Sequence, residues 1–295
     1  MKESTKGALA IFFTYVFWGI MPVYWKAIAT VNSVEILAHR IVWSCVFSLF
    51  LAAVWHKIPD VVSLLRSNRR ATALLVLSSV AVSANWGIYI WAVNDGRILE
   101  SSLGYFINPL VSMLFGAAFF KERLNKIQWL AIGFAVVGVC SEVVALGYLP
   151  FVSLSLAFTF GAYGLLKKLT VVESLVGFTV ETLLIAPLFL TWLIWRRYSA
   201  DAYFPYGAWT MLLLAGTGVV TSVPLITFAW GVKRSSMTVV GLIQYTSPIL
   251  MFISGAVVYH EPISPVRLLS FVLTWISIII FSAESLWRSK KLSGK

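Results

Sequence analysis

Three ionisable side chains stand where the chain is otherwise apolar. His39 and Arg40 are neighbours inside the run 33–55, and Glu181 lies inside the run 174–195. A charge in hydrocarbon costs at least about 2.5–3.5 kcal/mol, so such residues face a wet cavity or one another. The chemistry they offer is charge recognition. Arg40 suits an anionic group, Glu181 a cationic one, and His39 can tune a charge or relay a proton. Together they would fit a zwitterion such as an amino acid. An internal ion-pair network that fixes the protein uses the same residues, and the sequence leaves both readings open.

Polar and aromatic residues gather near these charges. Asn85 and Tyr89 are four apart and share a helical face, with Trp86 beside them. Tyr105, Asn108 and Ser112 follow helical spacing; Gln244 and Ser247 repeat it, flanking Tyr245 and Thr246. The candidate substrate-binding set is therefore His39, Arg40, Asn85, Tyr89, Tyr105, Asn108, Glu181, Gln244 and Tyr245. Catalytic patterns fail. No histidine pair has HExxH spacing, no GxSxG occurs, and no GxxxxGK loop would bind ATP for hydrolysis. Cys45 and Cys140 both fall in apolar runs and read as buried small hydrophobes. No cofactor, disulfide framework or metal site is implied.

The elements that must position these residues are membrane helices. The chain is 59% apolar and 12% charged, where soluble domains run at about 25% charged; its mean hydropathy is +0.87. Ten apolar windows approximate 7–26, 33–55, 71–94, 98–120, 127–146, 148–167, 174–195, 207–232, 236–259 and 265–286. Each is long enough to cross ~30 Å of hydrocarbon. A span must satisfy its backbone internally, and the period-two polarity of a lipid barrel is missing, so the fold class is all-α integral membrane. The net charge of +11 would suit nucleic acid. Its placement argues otherwise: 17 lysines and arginines fall on one side, 5 on the other, and Arg40 in between. The positive-inside rule puts both termini in the cytoplasm. The basic loop Trp55–Arg70 then lies on the inner surface. The first apolar run lacks a small-residue cleavage pattern and reads as a retained helix.

The chain also repeats itself. Leu103–Glu122 returns 139 residues later: Pro109 falls on Pro248, Gly116 on Gly255 and Glu122 on Glu261, with nine identities among the 45 positions from Val80 to Leu124. A weaker shift of 142 lays His39 on Glu181 and Lys26 on Lys168. Two halves result, 1–146 and 147–295. Five helices per half is an odd number, so the second half enters the membrane inverted, as in many secondary transporters. Pro109 and Pro248 each free the carbonyl four residues earlier, on Tyr105 and Gln244. Each proline lies ~17 Å along its helix, near mid-membrane. Such backbone is tolerated where it lines a cavity, which predicts two kinked helices facing a central chamber. Glu122 and Glu261 end their helices, and each is expected to cap the helix that follows it, near Asn125–Gln128 and Ser264–Arg267.

Five segments carry a family resemblance: FWGIMPVYWK (Phe17–Lys26), EILAHR (Glu35–Arg40), NWGIYIWAVN (Asn85–Asn94), LESSLGYFINPL (Leu99–Leu110) and QYTSPILMF (Gln244–Phe252). Together they resemble the EamA family of the drug/metabolite transporter superfamily over nearly the whole chain. The resemblance implies ten helices as two inverted five-helix halves, and transport of a small molecule across the bacterial inner membrane. The expected partners are a small-molecule substrate, the lipid bilayer and protons as candidate coupling ions, with no nucleic acid. Two rival classes remain on the residues alone: a membrane-embedded enzyme acting on lipid-linked substrates, and a non-transporting scaffold or sensor. An enzyme would gather its polar groups at one interface, and a scaffold would have no cavity.

Overall fold

The computed structural model describes residues 2–94, 98–198, 206–253 and 265–293. Every regular element there is helical. The first half comprises α1 (Glu3–Ala27), α2 (Ser33–Val54), α3 (Ile58–Ser67), α4 (Arg69–Asn94), α5 (Ile98–Phe120) and α6 (Lys126–Leu146). The second comprises α7 (Phe151–Leu169), α8 (Ser174–Tyr198), α9 (Ala208–Val232), α10 (Met237–Gln244), α11 (Thr246–Ile253) and α12 (Pro265–Ser293). Seven of them, α1, α2, α4, α5, α6, α8 and α9, are long and apolar enough to cross a membrane. The other three expected spans fall on α7, on α10 with α11, which is interrupted, and on α12, in which the apolar stretch Leu268–Phe281 is short. The polarity is inside out relative to a water-soluble protein. Phe12, Phe50, Val80, Leu114, Val137, Leu188 and Ile279 are exposed, while Ser44, Ser48, Ser78, Ser112, Thr179, Thr217 and Thr221 are buried. That is the arrangement lipid demands of a helix bundle.

Local chemistry sets several helix ends. Asn32 caps α2 by accepting from Val34 N. Asn125 and Gln128 form a reciprocal capping box at α6, which closes at Gly147 with φ 74°. Ser236 caps α10. The basic loop after α2 forms α3, which the sequence reading missed; Val61 and Leu64 tuck its apolar face against α4 and α8.

The two halves are related by inversion. In order, α1, α2, α4, α5 and α6 correspond to α7, α8, α9, α10 with α11, and α12. The packing respects that exchange. α2 packs on α8, α5 on α10 and α6 on α12, each on its own counterpart; α5 on α7 is matched by α1 on α10 and α11, and α4 on α7 by α1 on α9. Where counterparts meet they run antiparallel. Asn125 at the start of α6 donates to Glu284 late in α12, while Gly138 midway along α6 lies against Ser270 near the start of α12. Likewise Tyr245 donates to the Phe106 carbonyl at 3.4 Å, and Glu122 reaches Met237 N at 2.7 Å. Phe106 and Tyr245 are themselves 139 residues apart, so they sit on the pseudo-two-fold.

Glycine makes two of these crossings possible. A Cβ on Gly218 would lie 2.5 Å from the Trp43 backbone, and one on Gly241 would lie 2.6 Å from the Pro109 carbonyl. The two proline helices differ. α5 stays helical through Pro109, whereas its counterpart breaks at Tyr245, just after the carbonyl that Pro248 leaves without a helical donor. Cys45 is buried as expected, but Cys140 is exposed, because its side of α6 faces outward.

Candidate substrate site

Arg40 and Glu181 lie at equal depths measured from opposite ends of the bundle, each seven residues into its helix, about 10 Å at 1.5 Å per residue. The end of the bundle that carries Glu3 and Glu122 is the near end; α2 starts at the far end and α8 at the near end.

At the near-end depth, Glu181 is fully engaged. Lys167 on α7 donates to its Oε2 at 2.8 Å, and Ser78 on α4 donates to its Oε1. Lys167 is 1% exposed and Glu181 3%. A cavity of about 20 Å³ lies beside the pair, lined by Ser44, Val82, Trp86, Tyr163, Glu181 and Thr182 among others. That is room for about one water. Below it the near end is tied across the halves. Lys121 takes φ 52° at the end of α5, and Glu122 N closes back on Gly116 O at 3.2 Å. This closure aims the Glu122 carboxylate at α10, where it accepts from Met237 N (2.7 Å), Thr238 N (2.9 Å) and Thr238 Oγ1. A Cβ on Gly116 would lie 2.8 Å from Glu122 Oε2, which explains the glycine. The expectation that Glu122 caps the next helix is therefore corrected. Asn125 and Gln128 already cap α6, and the free carboxylate caps α10 in the other half instead. Glu261 lies outside the described residues. Lys168 stands 3.6 Å from Glu122, and Lys233 donates to the Val172 carbonyl. Burial, and then the charge of Lys167, pushes Lys233 down to about 8.

At the far-end depth, Arg40 is placed differently. Its Nε donates to Thr221 Oγ1 on α9 at 2.8 Å. Its guanidinium carbon lies 4.2 Å from the Trp86 ring centroid and 5.2 Å from that of Trp25. Tyr89 and Tyr105 meet edge to face with centroids 6.2 Å apart, both within electrostatic reach of Arg40. They are 39% and 38% exposed, and Arg40 itself is half-buried. Arg40 thus stands in a partly exposed aromatic surround, the Arg40 chamber, built by Trp25 of α1, Trp86 and Tyr89 of α4 and Tyr105 of α5, and Trp86 also lines the small cavity beside Glu181.

The remaining candidates divide between chamber and scaffold. His39 is half-buried on the turn beside Arg40. Asn85 Nδ2 donates to Leu156 O (2.8 Å) and Thr159 Oγ1 (3.0 Å), binding α4 to α7. Gln244 accepts from Ser112 Oγ at 2.9 Å and donates to the Tyr15 hydroxyl at 2.7 Å, joining α10 to α5 and α1. Tyr245 is buried on the pseudo-two-fold, and Asn108 is buried beside it in α5, its Oδ1 without a hydrogen-bond partner among the described residues. Gln244 thus sits in dense packing, not on a chamber wall.

A model of the EamA-like transporter family matches residues 5–141 and again residues 147–283. The chain belongs to that family. Its relatives include an uncharacterised transporter, YojE, of Bacillus subtilis, 41% identical over 95% of this chain and 94% of that one. Protein RarD of Salmonella typhi is 38% identical over 98% and 99%. A solved crystal structure shares the fold with a TM-score of 0.70 at 18% identity, over 93% of this chain and 96% of that one. An EamA-like chain of this kind is a multi-pass membrane transporter protein. Within it, sequence reasoning missed Lys167, Ser78 and Trp25. Lys167 counted as a surface charge near the inner side, yet its position 142 residues after Trp25 was a usable signal: it takes the Trp25 place in the other half.

Proposed function

We propose that the chain is a ten-span secondary transporter that moves a small amphipathic metabolite or drug-like compound across the bacterial inner membrane by alternating access. The halves 1–146 and 147–295 would rock about the pseudo-two-fold, with both termini cytoplasmic. One observation carries this reading: Arg40, Tyr89 and Tyr105 keep exposed surface at the far-end depth, whereas Glu181 and Glu122 are held in buried contacts at the near end. With the near end cytoplasmic, this is an outward-facing state. The substrate would enter the Arg40 chamber and leave after the Lys167–Glu181 pair and the Glu122 cap part. Arg40 and Glu181 are not joined to each other, so the zwitterion scheme with both as direct ligands loses support. The chamber alone is the better site.

Two measurements test this. Counterflow in proteoliposomes, with labelled amino acids and related metabolites and with and without a pH gradient, should show exchange of at least one solute. A cysteine at position 105 in a background lacking Cys45 and Cys140 should react with an impermeant maleimide from the periplasmic side, while one at position 78 should not. Absence of exchange together with a sealed position 105 would end the reading.

A further inference from the structure

A guanidinium carries five N–H donors. Arg40 commits only Nε, to Thr221, and among the described residues no carboxylate pairs with it. Its other two nitrogens point no hydrogen at any acceptor there. An uncompensated cation at this depth is costly, so its edge is kept for something that arrives. The neighbours say what. Trp86 and Trp25 each set an indole ring against the guanidinium, 4.2 and 5.2 Å from its carbon, which restricts where its remaining N–H donors can turn. Tyr89 and Tyr105 add partly exposed ring surface nearby. An aromatic box by itself would favour a cation, but here a fixed positive charge already occupies it.

We propose, resting on the transporter reading above, that the chamber selects an organic anion with a planar apolar body. The carboxylate or phosphate binds the free edge of Arg40 as a two-point, charge-assisted contact. The ring lies against Tyr89, Tyr105 and Trp86. A lipid phosphate shares the anionic chemistry, so a test must separate the two sources.

The probes are phenylacetate, phenylacetamide, phenethylamine and cyclohexylacetate, titrated onto the full-length protein in a neutral detergent. Phenylacetate should bind about tenfold or more tightly than the amide, which lacks the charge. The amine should bind weakest, and cyclohexylacetate several-fold below phenylacetate. Arg40→Gln should erase the acid-over-amide preference. Arg40→Lys should restore it only in part, because it keeps the charge but loses fork and stack. Tyr105→Leu should lower phenylacetate binding without changing cyclohexylacetate. Wild-type protein that ranks amide or amine level with the acid overturns the inference with no variant needed. So does a short-chain phosphatidylglycerol that outcompetes phenylacetate, since the cation then serves a headgroup. If the ranking fails while counterflow and labelling at position 105 succeed, only the substrate class is wrong. If those two fail as well, the transporter reading falls with it.

Discussion

Two places in the molecule are near-equivalent by the inverted repeat and have opposite fates. A shift of 142 lays the His39–Arg40 pair on Glu181–Thr182 and Trp25 on Lys167. In both places a charge on the second helix of a half stands beside the first helix of that half and a polar side chain from the other half: Thr221 for Arg40, Ser78 for Glu181. One charge is answered by a buried lysine and a hydroxyl. The other is answered by indole faces and one threonine, and stays accessible. A single backbone frame therefore carries a lock in one orientation and a receptor in the other. The difference comes down to what the first helix presents, Lys167 or Trp25. A buried ion pair offsets its own desolvation and leaves nothing over for a ligand, whereas an unanswered cation leaves its attraction available.

The sharpest way to break that contrast is to remove each charge and compare function. Arg40→Gln should reduce counterflow of the transported solute by about tenfold or more, since it deletes a charge-assisted contact, while leaving the melting temperature in detergent close to wild type. Equal losses of transport and stability would make Arg40 a structural residue like Glu181.

Stability should respond in the opposite place. Lys167→Met leaves Glu181 buried and unpaired, and breaking such a pair typically costs about 3–5 kcal/mol. Adding Glu181→Leu should recover most of that loss, because apolar side chains of similar size can replace a buried pair at little cost. Thermal denaturation of both variants checks it. A single variant as stable as wild type would mean that the pair is not closed.

Glu122→Ala should cost less, about 1–2 kcal/mol, the usual worth of an N-terminal cap. Because that cap ties α5 to α10 across the halves, the loss should also expose the near end. A cysteine at position 78 should gain reactivity from the cytoplasmic side only in this variant. Unchanged reactivity would move the closure away from the cap.

Much of this contrast was readable in the residues, and the part that was not has a physical reason. The inversion followed from an odd number of helices and the Pro109–Pro248 repeat, and the antiparallel contact of Phe106 with Tyr245 agrees with it. Arg40 stood out because no apolar run tolerates an arginine without cause. What the sequence concealed were partners brought in by tertiary packing. Lys167 sits two residues from the end of its helix and counts as a surface charge until the fold brings it onto Glu181 of α8. Glu122 chose a helix that starts 115 residues away over the one next to it, because Asn125 had already satisfied the nearer amides. Gln244 was read as a chamber wall from its freed carbonyl, yet its side chain is taken by Ser112 and Tyr15. Depth and polarity identify which residues turn inward; they do not say whether a neighbour or a ligand meets them there.

The smallest expected effect concerns pH at the closed end. Lys233 lies just past α9, where burial and the nearby charge of Lys167 lower it from its ordinary 10.5 to about 8. The folded state therefore holds this proton less tightly than the unfolded chain does. Below about 8 the lysine is charged in both states and its cost to folding is fully present. As pH rises from about 8 towards 10.5 the folded protein releases the proton first, so its stability rises across that window. Lys233→Met removes the strain at every pH. The variant should be more stable than wild type at neutral pH, and the gap should narrow as pH climbs through the window. A gap that stays constant with pH would mean that Lys167 and Lys233 do not share a sealed space, and the near end would then be less closed than its counterpart at Arg40 requires.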